Sequence, residues 1–371
     1  MSLKVLVVPD KFKGTLTALA AAQAIARGWR RARPQDSLKL LPMTDGGDGF
    51  GAVMSRLVKA HPQRIKTRNA AQCPCRATWW WEAQTNTAII ETAQVIGMAM
   101  LPPGQFHPFE LDTFGLGKLV QTALTKGARQ ILIGIGGSAT NDGGFGLARA
   151  MGWEFWAANR KPIRQWTELH QLVELRPPPL LGFGRITVAV DVRNPLLGGR
   201  GATRVYGPQK GLRAEDFQRS ERCLQGLANE ARRYFGRDLA KSPGAGAAGG
   251  LGFGLMAFLG ARSESGFTLF ARHAKLNRLL RSTDLVITGE GAIDRSTLMG
   301  KGTGEIAQLC RERNIPCLGL AGGLAPGIRQ SKLFHELRAL TDLTTVATAK
   351  AKPAIWLERL AKLTARNYQT S

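Results

Sequence analysis

The segment Val5–Thr15, VLVVPDKFKGT, decides the fold class of this chain. Its first part, Val5–Val8, is a short run of valine and leucine, which predicts a strand buried on both faces. The polar cluster Pro9–Thr15 follows, and the alanine-rich segment Leu16–Arg31 then has the composition of a helix that ends near Pro34. A strand, a polar loop and a helix in this order are the repeating unit of α/β folds.

The same alternation recurs along the chain. Short apolar runs, several of them closed by glycine, predict further buried strands at Leu38–Leu41, Ile131–Ile135, Ile186–Val190, Leu285–Thr288 and Cys317–Leu320. Ligands of such folds bind beyond the carboxyl ends of the strands, so we expect the functional residues in the loops that follow these runs.

The middle of the chain follows a different pattern. Thr78–Glu82 and Thr87–Glu91 are two strand-like runs close enough to form a hairpin, which a purely parallel sheet does not contain. We therefore predict two α/β domains, one formed by residues 1–65 and 270–371 and an inserted second one, 66–269, with a mixed sheet.

Composition limits the class of protein without selecting the ligand. With 44% hydrophobic and 21% charged residues, the chain is globular rather than disordered. A net charge of +24 attracts anions, and nucleic acid, anionic lipid, nucleotides and carboxylate substrates all qualify. Five cysteines, an odd number, predict free thiols, and with no signal-peptide pattern at the start we expect a cytoplasmic protein. The uncharged stretch Ser242–Ala261 is interpreted as a buried loop and helix rather than a membrane span.

Two polar clusters near the start contain candidate ligand-binding side chains. Lys11 and Lys13 lie where the chain is predicted to enter its first helix, and such helix starts bind phosphate or carboxylate groups. A plain turn between strand and helix is the open alternative. In Asp45–Gly49, DGGDG, two carboxylates could hold a cation or accept a proton. Taken alone, however, this cluster favours ordinary Asp-Gly turn chemistry.

The richest cluster is Gly134–Gly144, GIGGSATNDGG, after a predicted strand. Hydroxyl, amide and carboxylate groups crowd this loop, which favours a polar, oxygen-rich ligand over a dinucleotide pyrophosphate turn. The loop also lacks the second glycine of a hydrolase nucleophile elbow, because Thr140 occupies that position.

Another acid follows the predicted strand Ile186–Val190. Asp191 precedes the cationic residues Arg193, Arg200 and Lys210, a combination that suits a general base beside a negatively charged substrate. A surface loop of ion pairs is the alternative explanation.

The last cluster, Thr288–Gly291, places Glu290 after a strand, and Lys301 opens a predicted helix from which it could reach a phosphate. It is not a Walker A loop, since Gly302 follows the lysine and Arg295 stands where the leading glycine belongs.

In combination these clusters resemble the bacterial glycerate kinase family, of the type that acts on D-glycerate with ATP. The resemblance runs from about Val5 to about Gly323, and its ordered motifs are PDKFKGTLTA, TDGGDG, IGIGGSATNDGG, DVRNPLLGGRGAT, PGAGAAGGLGFG and DLVITGEGAID with GKGTGEIA. Ala292 departs from the pattern at a position where we expect arginine. The resemblance implies a flavodoxin-like α/β domain that contains both termini, a second α/β domain likened to restriction enzymes, and an active site in the cleft between them.

The resemblance also implies transfer of the γ-phosphoryl group of ATP, with Mg²⁺, to a hydroxyl of D-glycerate, and it favours 2-phosphoglycerate over 3-phosphoglycerate as product. The predicted catalytic residues, with Asp191 as base or hydroxyl-orienting group, are Asp191, Lys13 and Lys301. The predicted substrate-binding residues are Arg193, Arg200, Ser138, Thr140, Asn141 and Lys11. The predicted nucleotide-binding residues are Gly136, Gly137, Gly289, Gly291 and Lys210. The predicted Mg²⁺ ligands are Asp45 and Glu290.

Two other functions stay open at this point. One is a kinase for a different small hydroxy acid, and the other is a basic nucleic-acid-binding protein. The charges are scattered, however, and no nucleic-acid-binding module is recognisable, so we expect neither a specific nucleic acid nor a membrane as partner. A homo-oligomer is compatible with the sequence.

Overall fold

A computed structural model describes residues 2–179, 182, 184–299 and 302–369. The strands are, in chain order, β1 (Lys4–Pro9), β2 (Ser37–Leu40), β3 (His61–Arg68), β4 (Pro74–Glu82), β5 (Thr87–Glu91), β6 (Gln130–Gly134), β7 (Glu154–Ala157), β8 (Leu172–Arg176), β9 (Arg185–Ala189), β10 (Arg262–Glu264), β11 (Leu285–Gly289), β12 (Ala292–Ile293), β13 (Cys317–Ala321), β14 (Gly323–Leu324) and β15 (Glu336–Ala339). The helices are α1 (Ala18–Ala32), α2 (Phe50–Val58), α3 (Ala93–Ile96), α4 (Phe114–Thr125), α5 (Phe145–Ala150), α6 (Ala202–Lys210), α7 (Ala214–Phe235), α8 (Ala247–Phe258), α9 (Gly266–His273), α10 (Leu276–Leu280), α11 (Arg295–Leu298), α12 (Thr303–Arg311), α13 (Val346–Ala351) and α14 (Pro353–Asn367).

The chain divides into two compact units, and the first consists of Met1–Asp45 and Phe267–Ser371. Its described residues contain a five-stranded sheet in the order β15-β13-β11-β1-β2, in which every neighbouring pair is parallel. Helices α1 and α14 pack together so closely that a Cβ atom on Gly28 would lie 2.1 Å from the carbonyl oxygen of Glu358. A side chain at this position would therefore separate the two helices.

The second unit, Gly46–Gly266, contains a six-stranded sheet in the order β10-β9-β6-β5-β4-β3 within its described residues. The strands from β10 to β5 are parallel neighbours, whereas β4 is antiparallel to both β5 and β3. The predicted hairpin is thus present, with Trp80 opposite Ile89. The fold class predicted from the sequence, two α/β domains with one parallel and one mixed sheet, is confirmed.

The first boundary of the observed units lies at 45/46, whereas the sequence analysis drew it at 65/66. The reason is strand β3, whose sequence HPQRIKTR has one aliphatic side chain and shows no strand pattern. Pairing with β4 makes it a strand, and α2 packs on β4 and β5 in the same unit. The second boundary, 266/267, lies three residues before the expected 269/270.

The uncharged stretch Ser242–Ala261 forms α8, almost every residue of which is buried, together with the loops at its two ends. Inside α8 the backbone of Ala248, Gly249 and Gly250 is left-handed, with φ of 54°, 69° and 86°. Among the described residues, no helix is long and apolar enough to cross a membrane.

The central position of β11 gives a prediction for stability. Ile287 is fully buried in this strand between β1 and β13, so Ile287→Ala leaves a cavity and should lower the free energy of unfolding by about 2–5 kcal/mol. Ile355 on α14 is 49% exposed, and Ile355→Ala should change it by no more than about 0.5 kcal/mol. Urea unfolding monitored by circular dichroism measures both, and equal losses from the two variants would contradict the assignment of β11 to the core.

Candidate active site

In the first unit, acidic residues of distant segments meet at the carboxyl ends of β1 and β11. Asp10 follows β1, and its amide N–H donates to the carbonyl oxygen of Gly289 at 2.8 Å. The Asp45 carboxylate forms an ion pair with the Lys11 ammonium, with Oδ1 and Nζ 3.5 Å apart. Asp45 and Glu290 are both close enough to Asp10 for their charges to act on it. Three carboxylates from three segments therefore share one small region of this unit.

This arrangement changes the acidity of Asp10. Its side chain is buried, and burial raises the pKa of the carboxyl to about 8. Repulsion from Asp45 and Glu290 adds to this effect, while the ammonium and the amide of Lys11 oppose it. A buried carboxyl surrounded by other carboxylates is a feature that functional sites often have and folding alone does not require.

Glu290 is held by two threonine hydroxyls. The hydroxyl of Thr297 donates to its Oε1 at 3.0 Å, and the hydroxyl of Thr303, at the start of α12, donates to the same oxygen. Burial raises the pKa of Glu290, and Asp45 contributes to the same direction, whereas the two hydroxyls lower it. The carboxylate is therefore fixed in orientation at the end of β11.

The predicted phosphate ligand Lys13 does not lie at the start of a helix. Helix α1 starts at Ala18, and the side chain of Thr17 caps it by accepting the N–H of Ala20 at 3.1 Å. The exposed Lys13 lies in the preceding turn and not at the helix start, where the sequence analysis placed it. Lys301 lies outside the described residues.

Close backbone approach explains two predicted glycines of this unit. A Cβ atom on Gly289 would lie 1.9 Å from the carbonyl oxygen of Leu320, and one on Gly291 would lie 3.0 Å from the amide nitrogen of Lys13. Gly289 is thus required by strand packing. Gly291 allows the loop after β11 to lie against the loop after β1, next to Asp10, Asp45 and Glu290, which we call the acidic cluster.

The acidic cluster fits a magnesium ion that is also held by a substrate. Among the described residues, no group of three or more His, Cys, Asp or Glu side chains is arranged to hold a metal ion alone. Mg²⁺ at phosphoryl-transfer sites commonly takes one or two carboxylates and completes its shell with water and phosphate oxygens. Asp45 and Glu290 supply such carboxylates, and a cation beside them would relieve the repulsion that raises the pKa of Asp10.

In the second unit, two glycine-rich loops lie against each other. The amide of Gly136 donates to the carbonyl oxygen of Gly46 at 3.2 Å, and a Cβ atom on Gly136 would lie 2.4 Å from Cα of Gly47. A Cβ atom on Gly137 would lie 2.0 Å from Oδ1 of Asp48. The loop after β6 therefore approaches the DGGDG loop at distances that only glycine permits.

Glu91 fixes the DGGDG loop from the end of β5. Its two carboxylate oxygens accept the N–H groups of Gly49 and Gly51 at 3.0 and 2.9 Å. These amides belong to the start of α2, where a negative charge is favoured by the helix dipole. The buried Glu91 thus holds the end of the loop that begins at the boundary of the two units.

Behind the exposed Gly137, the polar side chains of the β6 loop point into the protein. Ser138 and Thr140 are buried, with their hydroxyl oxygens 3.0 Å apart. Asn141 is fully buried, and its amide nitrogen donates to Ser220 at 2.9 Å and to Thr203 at 3.3 Å. In this structure these three side chains are engaged with the protein, and their predicted contact with substrate stays a prediction.

The next residue, Asp142, was not singled out from the sequence. Its fully buried carboxylate accepts four hydrogen bonds, two from Thr113 and one each from the amides of Gly144 and Gly146. Burial raises the pKa of this carboxyl, and these donors oppose the rise. Asp142 holds the loop onto the first turns of α4 and α5.

Asp191 follows β9, as the sequence predicts. Its Oδ1 accepts the N–H of Gly266 at 2.9 Å and the hydroxyl of Ser265 at 3.2 Å, so the carboxylate has a defined orientation. The residue as a whole is partly exposed, whereas Oδ2 is buried. Arg193 and Arg200 lie in the loop that follows, and both are exposed. Asn194, between them, donates to the carbonyl oxygen of Arg200 at 2.8 Å and shapes this loop.

Lys210 lies in the last turn of α6 and not in the loop with the arginines. Its ammonium donates to the carbonyl oxygen of Thr140 at 2.6 Å. Burial lowers the pKa of this ammonium to about 7, and Asp142 opposes the shift. Its predicted contact with the nucleotide stays a prediction, while the observed contact is with the β6 loop.

Neither Asp10 nor Glu91 was assigned a role from the sequence, although both had a usable signal. Each stands at the carboxyl end of a predicted strand, Val5–Val8 or Thr87–Glu91, which is where ligands of α/β folds bind. The sequence does not show that these two carboxyl groups are buried or which groups they contact, because both depend on segments far away in the chain.

Comparisons with known proteins agree with this geometry. A sequence model of the glycerate kinase family matches residues 5–369. A glycerate kinase of Halalkalibacterium halodurans is 37% identical over 87% of this chain and 86% of the relative, and a glycerate 2-kinase of Escherichia coli strain K12 is 34% identical over 94% and 93%. The crystal structure of a Salmonella typhimurium LT2 protein assigned as a glycerate kinase 2 superposes with a TM-score of 0.83 at 32% identity, over 98% of each chain.

The relatives that align over most of this chain are kinases, and the α/β units with acidic and glycine-rich strand ends agree with that class. The protein is therefore a kinase. Within that class, the chain belongs to the glycerate kinase family.

The acidity of Asp10 gives a prediction on stability against pH. Because its pKa is raised to about 8 in the folded chain, the folded chain retains a proton here that the unfolded chain has lost above about pH 4. The free energy of unfolding should therefore decrease as the pH rises from about 4 to about 8. Asp10→Asn cannot ionise and should remove at least about 1 kcal/mol of that decrease, since one pH unit per proton corresponds to about 1.4 kcal/mol.

Urea unfolding in buffers that contain EDTA, between about pH 5 and pH 8, measures this difference. Asp238→Asn, at a partly exposed carboxyl that forms a surface ion pair with Lys241, is the matched control. A pH dependence in Asp10→Asn as steep as that of the unchanged chain would contradict the raised pKa.

Proposed function

We propose that this chain transfers the γ-phosphoryl group of ATP to D-glycerate and releases 2-phosphoglycerate. Its membership of the glycerate kinase family supports glycerate as acceptor. The relative named glycerate 2-kinase, which aligns over 94% of this chain, supports the 2-hydroxyl as the position of transfer. The single observation that carries the proposal is the convergence of Asp10, Asp45 and Glu290 at the carboxyl ends of parallel strands, a suitable place for a metal-bound phosphate.

In this proposal Asp45 and Glu290 hold Mg²⁺, which when bound supplies positive charge to the phosphate oxygens of ATP. The orientation of Glu290 by two threonine hydroxyls supports this role, because a metal ligand must keep its oxygen in place. With a pKa of about 8 even beside the Lys11 ammonium, Asp10 would be mainly protonated near neutral pH, and a bound metal ion would favour its ionised form. Lys13 and Lys301 are assigned to the phosphate oxygens.

The acceptor side is assigned to the second unit. Asp191 orients the glycerate hydroxyl and receives its proton as the phosphoryl group is transferred. Its place directly after β9 and the fixing of Oδ1 by Gly266 and Ser265 support this role. An exposed guanidinium, Arg193 or Arg200, suits the glycerate carboxylate, with which it can form two parallel hydrogen bonds. Gly136 and Gly137, which lie against the DGGDG loop, are assigned to the nucleotide as the sequence predicts.

The proposal retains two expectations from the sequence. We place the enzyme in the cytoplasm, and we assign it no nucleic-acid or membrane partner.

The reaction itself is tested by phosphorus NMR. The purified chain with ATP, MgCl₂ and D-glycerate should give the resonance of 2-phosphoglycerate, and EDTA in excess should abolish it because the phosphate charge is then not neutralised. A resonance of 3-phosphoglycerate would overturn the regiochemistry. A panel of other small hydroxy acids compared by kcat/KM tests the substrate, and a higher value for any of them would overturn glycerate as the preferred acceptor.

The role of Asp191 is tested by Asp191→Asn, which keeps the size of the side chain and removes its basicity. We expect kcat to fall by about 10²–10⁴, the usual effect of losing a general base. Asp238→Asn, a surface carboxyl, serves as control and should leave kcat unchanged. A value of kcat within about threefold of the unchanged chain would remove Asp191 as the base.

A further inference from the structure

The β6 loop is held at Thr140 by a charged side chain that the proposed reaction does not otherwise explain. Lys210 reaches the loop from the last turn of α6, and its Nζ lies 2.6 Å from the carbonyl oxygen of Thr140. The ammonium is buried enough for its pKa to fall to about 7, so it has given up much of its hydration for this contact. Ordinary packing would be served as well by an apolar side chain, without that cost.

The left-handed turn in α8 contacts the same part of the loop. Gly249 lies so close to it that a Cβ atom there would be 1.9 Å from the carbonyl oxygen of Thr140. The carbonyl oxygen of Gly249 accepts the N–H of Gly143 at 3.0 Å, and that of Ala248 accepts the hydroxyl of Ser138 at 3.4 Å. The turn Ala248–Gly250 therefore contacts the loop at its beginning and at its end.

This turn has an unusual backbone. Its three consecutive residues are left-handed, and the first of them is an alanine with φ of 54°. A residue with a Cβ atom adopts this conformation at an energetic cost, and such strained residues are retained mainly at functional sites. The Lys210 ammonium and the turn that contains the strained alanine thus both lie against the Thr140 carbonyl oxygen.

We propose that Lys210 is a positioning residue: together with the turn Ala248–Gly250 it clamps the Thr140 carbonyl and so fixes the loop Gly136–Thr140 in the shape that the reaction requires. Lys210 acts through Thr140 and does not contact a phosphate. We refer to Lys210, Thr140 and Ala248–Gly250 as the Thr140 clamp. The catalytic part of this inference rests on the proposed function, whereas the clamp itself rests on the observed contacts of Thr140.

The test uses Lys210→Met, which keeps the length of the apolar stem and removes the donor. Lys241→Met is the matched control, because Lys241 is exposed and forms a surface ion pair with Asp238. Two quantities are measured on the full chain: amide hydrogen exchange of peptides that cover 136–144, and kcat and KM with D-glycerate and ATP. The hydrogen-exchange measurement needs no substrate, so it tests the clamp even if the unchanged chain does not phosphorylate glycerate.

We expect Lys210→Met to speed exchange in 136–144 by at least about fivefold and to lower kcat/KM by about 10- to 100-fold, chiefly through kcat. Lys241→Met should change neither. Lost activity with unchanged exchange would overturn the inference, because Lys210 would then act on the substrate itself. Faster exchange with unchanged kcat/KM would also overturn it, and so would no change in either quantity.

Ala248→Gly provides a second test that does not depend on whether Lys210→Met folds. Glycine relieves the left-handed strain, so the variant should unfold at a temperature equal to or above that of the unchanged chain. Because it also loosens the clamp, exchange in 136–144 should be faster and kcat/KM lower. Retained exchange protection and retained kcat/KM in this more flexible variant would overturn the role of the turn.

Discussion

The first unit depends on the parallel pairing of β1 with β11, which sets the ends of two distant segments side by side. The register places Val8 opposite Thr288, and the Thr288 hydroxyl donates to the carbonyl oxygen of Val8 at 2.7 Å. The chain that continues from each strand is acidic, so pairing forces Asp10 and Glu290 into one region, where Asp45 joins them. Repulsion among these carboxylates destabilises the folded chain. A cation bound between them and the phosphate groups of a substrate would offset that repulsion.

In the second unit the corresponding constraint is close approach of backbones. The β6 loop meets the DGGDG loop through Gly136 and Gly137, and it meets α8 through Gly249. Contacts of this kind leave no room for Cβ atoms, so glycine is required at these positions. The high glycine content of the chain, 44 of 371 residues, is explained in part by these loops.

Charged side chains with few contacts to solvent fix the positions of these loops through hydrogen bonds. Asp142 accepts four hydrogen bonds at the starts of α4 and α5, Glu91 accepts two at the start of α2, and Lys210 donates to Thr140. Each of these groups has exchanged hydration for fixed partners, and such groups are costly to bury without them. Rigid loops at the strand ends are the result, and phosphoryl transfer depends mainly on positioning and on charge neutralisation.

The sequence alone was sufficient for the α/β class and for most strands of the two large sheets, because buried parallel strands are short apolar runs that end in loops rich in glycine and acidic residues. It was also sufficient for the family, because the motifs occur in a fixed order. It did not reveal β3, since an edge strand made of polar residues has no apolar pattern until β4 pairs with it. Nor could it show that Lys210 bonds Thr140, that Asp142 and Asn141 are buried, or that Asp10 has a raised pKa. Those properties arise from contacts between segments far apart in the chain, and only the tertiary structure brings these segments together.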